Sequence, residues 1–99
     1  MEEPLSPMEK ALFERCDEVL HYLWDPVGVA GVPQSRDEYA DYVEPVFRFL
    51  RDDADRDAII HLLLRIETDR LGLPGDEQTA RATADALRDW NDWIRENVG

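Results

Sequence analysis

Cysteine is almost missing from this chain. Cys16 stands alone among 99 residues, which excludes an internal disulfide framework and a multi-cysteine zinc site. It falls on an apolar helical face, so it reads as a small buried hydrophobe, not a reactive thiol. Positive charge is scarce as well: 11 Lys and Arg stand against 23 Asp and Glu, a formal net charge of −12. So acidic a surface repels nucleic-acid phosphate and anionic membrane, and it steers a basic protein inward. The expected partner is therefore a basic protein, with no nucleic acid and no membrane. No apolar run approaches the roughly 20 residues of a membrane span. Met1-Glu2-Glu3-Pro4 is acidic where a secretion signal is basic, so the expected location is the cytoplasm. Lys10 is the single lysine, and the arginine bias fits a GC-rich bacterial genome.

Catalytic equipment is thin. The chain has two histidines, no G-x-S-x-G, no H-E-x-x-H and no Gly-rich phosphate loop. Ser6 and Ser35 both sit where helix caps are needed. The acid pairs Glu2-Glu3, Asp37-Glu38 and Asp52-Asp53 are sequence neighbours, which do not converge on a substrate. The expectation is a non-enzyme with no catalytic residues, no metal and no cofactor.

Helical patterning is plentiful. The length suits one domain over 1–99, with 1–5 as a frayed tail. Ser6-Pro7-Met8-Glu9 is a capping box with proline at the first helical position. Met8, Leu12, Cys16, Val19, Leu20 and Leu23 then recur at helical spacing. Pro26 disfavours helix at Asp25, so the first helix runs about 7–24. Residues 25–35 carry Pro26, Gly28, Gly31 and Pro33 and read as an apolar loop lying against the core. Ser35-Arg36-Asp37-Glu38 repeats the capping-box pattern, and Pro45 predicts a kink, or a short helix at 36–43 followed by another at 45–51. Asp55 caps a helix over about 56–71, closed by Gly72 and Pro74. Asp76 caps the last, reaching about 97, with Ala80, Ala84, Leu87, Trp90 or Asn91, Ile94 and Val98 along its buried stripe. Together these predict an all-α fold: an irregular antiparallel bundle of four main helices.

Two clusters invite chemistry. Asp17, His21 and Asp25 are spaced by four, and Asp37 and Glu38 can fold back onto them, a donor set that suits a transition metal or a small-molecule enzyme. The plainer expectation for His21 is a solvated or salt-linked side chain. His61, between Asp57 and Arg65, reads as part of an exposed charge ladder. The second cluster is Asp37-Glu38-Tyr39 with Asp41-Tyr42. Over residues 37–57 eight acids face three arginines. With Asp25, the residues Asp37, Glu38, Tyr39, Asp41 and Tyr42 are the candidates for docking a basic partner, tyrosine serving as anchor. Trp90 and Trp93, with the alanine-lined start of the last helix, offer a homodimer interface instead, so the chain is expected as monomer or homodimer.

Trp24-Asp25-Pro26-x-Gly28-Val29, then Asp37-Glu38-Tyr39 with Tyr42, then Ile66-Glu67 and Gly72-Leu73, resembles a group of small uncharacterised bacterial helical proteins. In them W-D-P-[IV]-G precedes D-E-Y. The resemblance covers residues 19–73 and implies a small helical fold. By analogy of class it also implies an immunity or accessory protein beside a toxin. Trp24, Pro26 and Gly28 then form a structural corner: proline ends the first helix, tryptophan anchors that end, and glycine turns the chain.

Overall fold

The computed structural model describes residues 5–98. Of the expected frayed tail only Leu5 falls within that range, where it is exposed. Helix α1 (Pro7–Val19) begins at the expected capping box. The Ser6 hydroxyl accepts from the Glu9 N–H at 3.1 Å, and the Glu9 carboxylate accepts from the Ser6 N–H at 3.1 Å. The helix then widens into a π-helical turn, Leu20–Trp24, closed by the Asp25 N–H on the Leu20 carbonyl. Asp25 leaves it in the left-handed region (φ 32°, ψ 58°), as a residue ahead of proline must leave helical geometry.

The next segment departs from expectation. Pro33–Ser35 is a single 3₁₀ turn, and the capping box at Ser35 does not form. Glu38 N–H bonds the Ser35 backbone carbonyl, and turns continue to Tyr39. Helix α2 (Ala40–Arg51) therefore starts four residues later than Arg36, and it passes through Pro45 as one helix without a break. The proline removes one donor, that for the Asp41 carbonyl. Asp41 lies exposed in the first turn, where the freed oxygen is open to solvent. Loop 25–35 is less of a cover than expected: Val29 packs on the core, but Val27 and Val32 are exposed.

Helix α3 (Arg56–Arg65) starts at Asp55, whose carboxylate accepts from the Ala58 N–H at 2.8 Å, and ends in a second π-helical turn, Ile66–Arg70. Gly72 follows at φ 66°, the left-handed position expected after a helix end, and Leu73 N–H reaches back to the Glu67 carbonyl. Helix α4 (Glu77–Asn97) is capped by Asp76 on the N–H and hydroxyl of Thr79.

Long-range contacts fix the topology. Phe13 meets Phe47 and Trp24 meets Tyr42, so α1 and α2 run antiparallel. Arg56 pairs with Asp85, and the buried Glu67 carboxylate accepts from the Asp76 N–H, so α3 and α4 do too. Asn91 and Arg95 donate to the Leu50 carbonyl, placing the ends of α2 and α4 together. The result is an up-down-up-down bundle with α1 and α3 at opposite corners, each packed on α2 and α4. Ala80, Thr83 and Ala84 are fully buried; small side chains there let the neighbouring helices approach closely. Between Trp90 and Asn91, the structure buries Asn91 and leaves Trp90 37% exposed. Among the described residues there is no strand, and no helix is long and apolar enough to cross a membrane.

Candidate functional site

Asp25 has a local task. Its Oδ1 accepts from the Gly28 N–H (3.1 Å), the Val29 N–H (2.7 Å) and the Tyr39 hydroxyl (2.7 Å), while Oδ2 accepts from the Ala30 N–H (3.0 Å). The same Tyr39 oxygen accepts from the Val27 N–H at 3.0 Å. One carboxylate and one phenol thus satisfy four consecutive backbone donors of the loop that follows Pro26. Burial pushes the Asp25 carboxyl upward, but the Tyr39, Val29, Ala30 and Gly28 donors outweigh it and hold the group below its ordinary value. Tyr39 shifts the other way: burial and the bond to anionic Asp25 raise its phenol well above normal, against the opposing Val27 N–H. Asp25 and Tyr39, both candidates for partner binding from sequence, are therefore internal braces. Tyr39 is only 2% exposed.

Trp24 anchors the corner as expected. It is 3% exposed and packs on Tyr39 (5.4 Å between centroids) and Tyr42 (6.4 Å). His21 lies beside it, buried against Tyr22 and Tyr39, with Nδ1 unpartnered. A solvated or salt-linked histidine was the expectation. His21 instead falls on the edge of the buried stripe that runs through Cys16, Leu20 and Trp24. Asp17 itself is held by Arg36, whose guanidinium donates to both its oxygens (3.3 and 3.0 Å) while lying over Tyr22. The five residues Asp17, His21, Asp25, Asp37 and Glu38 are thus not assembled into one donor set: two carboxylates are engaged elsewhere and the imidazole faces aromatic rings. Among the described residues no group of three or more His, Cys, Asp or Glu is placed to hold a metal ion.

Asp37, Glu38 and Asp41 remain. All three are exposed, and no ion pair or side-chain hydrogen bond engages them within the described residues. Tyr42 is half-buried beside them. Asp41 and Tyr42 line one wall of a groove of about 410 Å³ between α2 and α3, with Pro45, Leu62, Arg65, Ile66, Asp69 and Arg70 completing it. Leu62 and Ile66 recur at helical spacing like core residues, yet they reach the groove beside Tyr42. Nothing in the periodicity distinguishes a floor from a core. His61 is exposed, as its spacing between Asp57 and Arg65 implies.

The arginines are mostly engaged already. Arg15, Arg36, Arg48, Arg51, Arg56, Arg65, Arg81 and Arg95 each pair with an acid inside the chain, leaving Arg70 and Arg88 outside such pairs among the described residues. Among the described residues the acids left outside such pairs include two groups, Asp37, Glu38 and Asp41 ahead of and within the first turn of α2, and Asp89, Asp92 and Glu96 late in α4, with Glu14 and Asp57 standing apart. Comparison with known proteins found no matching family model, no matching curated protein and no matching solved structure.

Proposed function

We propose that this chain is a non-enzymatic, acidic protein-binding domain acting in the cytoplasm, of the immunity or accessory type. Its partner is a basic protein that docks on Asp37, Glu38 and Asp41 and fills the Tyr42 groove. One observation carries this reading. The internal ion pairs engage most of the arginines, yet among the described residues these three carboxylates stand exposed and unpaired, and Asp41 lines a partly apolar groove. Unpaired like charges held together do not stabilise a fold, but they raise the local concentration of a cationic partner. Tyr42 supplies the aromatic contact that such interfaces favour. The resemblance of the Trp24–Tyr42 pattern to small bacterial helical proteins agrees with the same class.

The test uses immobilised wild-type chain and the variant Asp37→Asn/Glu38→Gln/Asp41→Asn against an extract of the native host, washed at about 50 and 500 mM salt. The expected result is a basic protein retained by wild type at low salt, released at high salt and not retained by the variant. Equal retention by both baits, or no retained basic protein, would sink the reading.

A further inference from the structure

Trp90 and Trp93 lie on the side of the bundle away from the Tyr42 groove. Both are exposed, at 37% and 52%, and they meet edge to face with centroids 5.8 Å apart. With Ala86 and Asp89 of α4 and Arg15 of α1 they line a shallow groove of about 620 Å³. The Arg15 guanidinium sits 5.5 Å from the Trp90 ring centre and is tied to Glu18 at 2.7 Å, so it covers Trp90 and leaves Trp93 open. Trp93 is flanked along its own helix by Asp89, four residues before, and Glu96, three after. Both acids are exposed and outside the ion pairs formed among the described residues.

The occupant can be argued from area and charge. The two indoles together expose roughly 200 Å². A stable interface needs about 800 Å² from each partner. A second copy would bring the same modest apolar patch, the same unpaired Asp89 and Glu96 and another net charge of −12. A cation suits the place better. An open indole face attracts guanidinium or ammonium, and Arg15 over Trp90 already shows the geometry within this chain.

We propose that the Trp90–Trp93 face is a second docking site. It takes an arginine-bearing amphipathic segment of another protein, stacking a guanidinium on Trp93 and pairing it with Asp89 or Glu96 while an apolar side chain covers Ala86 and Trp90. The site shares no residue with the Asp37–Tyr42 surface, so the two readings stand or fall separately.

The test is a titration of the full chain with two synthetic amphipathic peptides of about fourteen residues, enough for four helical turns. One is built of leucine and arginine, the other of leucine and glutamate, and binding is followed by anisotropy of a label on the peptide. The leucine/arginine peptide should bind. Trp93→Ala should weaken it about ten-fold or more, and Trp93→Phe should retain most of the affinity. Asp37→Asn/Glu38→Gln/Asp41→Asn should change it by no more than about three-fold. Far-ultraviolet circular dichroism verifies that each variant is folded. The proposal is overturned if Trp93→Ala binds like wild type, or if the leucine/glutamate peptide binds equally well. It also fails if the free chain sediments as a dimer that Trp93→Ala dissociates, which would assign the face to a second copy.

Discussion

Replacing Asp25 by alanine should unfold much of the advantage this chain has over its denatured state, although the residue is neither in the core nor in an ion pair. The carboxylate accepts three backbone N–H bonds and the Tyr39 hydroxyl, at 2.7 to 3.1 Å. A hydrogen bond to a charged group contributes about 1.5–3 kcal/mol net. Water replaces part of this at Gly28, which is exposed, and less of it at half-buried Val29 and Ala30. Alanine also tolerates φ 32° poorly, where aspartate and asparagine are at home, and that adds about 1 kcal/mol. The sum after solvent discount is a loss of about 3 kcal/mol, read as a fall in Tm of about 12–20 °C for a domain of this size. Asn keeps the backbone preference and one acceptor, so Asp25→Asn should cost about 1–2 kcal/mol. Urea denaturation followed by circular dichroism at pH 7 measures both. If Asp25→Ala stays within about 0.5 kcal/mol of wild type, the brace has been misread.

The pH dependence supplies an independent check. The Asp25 carboxyl is held below its ordinary value in the folded chain, so its contribution is fully present above the unfolded value of about 3.9. It is lost as pH falls through the lower folded value. The gap in stability between wild type and Asp25→Asn should therefore be constant above about pH 5 and narrow in acid. A cycle with Tyr39→Phe should show coupling of about 1–2 kcal/mol, because the phenol bonds the same carboxylate.

Three further outcomes are expected. The raised Tyr39 phenol stabilises the fold below the unfolded tyrosine value of about 10 and loses that contribution as pH rises; an alkaline stability profile should flatten in Tyr39→Phe. The Cys16 thiol is fully buried and pushed up to about 12 by burial, with Asp17 adding to it, so its labelling by a thiol reagent at pH 8 should track urea-induced unfolding and vanish in native buffer. Asn91 is 7% exposed and its amide donates to the Leu50 carbonyl at the end of α2; Asn91→Leu should cost only about 0.5–1.5 kcal/mol in equilibrium unfolding, because the Asp53 N–H and Arg95 still reach that carbonyl.

Much of the fold is written in short local patterns. Ser6 with Glu9, Asp55, Asp76 and Gly72 mark helix ends because a cap is a contact between residues a few positions apart, visible in sequence as in space. The apolar stripes of α3 and α4 are legible for the same reason. The two π-helical turns were not, since one extra residue per turn leaves composition and spacing unchanged until the register has already moved. His21 is buried although its spacing from Asp17 promised a shared polar face, because Tyr22 and Tyr39 close over that edge of the helix. Of the two outcomes that Pro45 predicts, a kink or a break, the break does not occur, since the lost donor falls in the exposed first turn of the helix. At position 90 versus 91 the periodicity was ambiguous by one residue, and a long-range bond to Leu50 settled it in favour of asparagine. For the candidate site, sequence found the acids but could not separate Asp25 and Tyr39, which bond each other fourteen residues apart, from Asp37, Glu38 and Asp41, whose carboxylates bond nothing among the described residues.

That separation has a consequence for stability. Like charges placed together repel, and a net charge of −12 makes the repulsion general. A carboxylate kept for the fold should lose stability when neutralised, as at Asp25. A carboxylate kept for a partner should not. Asp37 and Glu38 precede α2 and their side chains hold no bond among the described residues, so Asp37→Asn with Glu38→Gln should leave stability unchanged or raise it by about 0.5 kcal/mol at low salt, with the gain fading as salt screens the repulsion. Asp41 sits in the first turn of α2, where the helix dipole favours an anion, and is best left out of the test. Denaturation of the double variant at low and high salt measures the effect. A loss of about 1 kcal/mol or more would mean these acids support the fold after all, and the case for them as a docking surface would lose its physical basis.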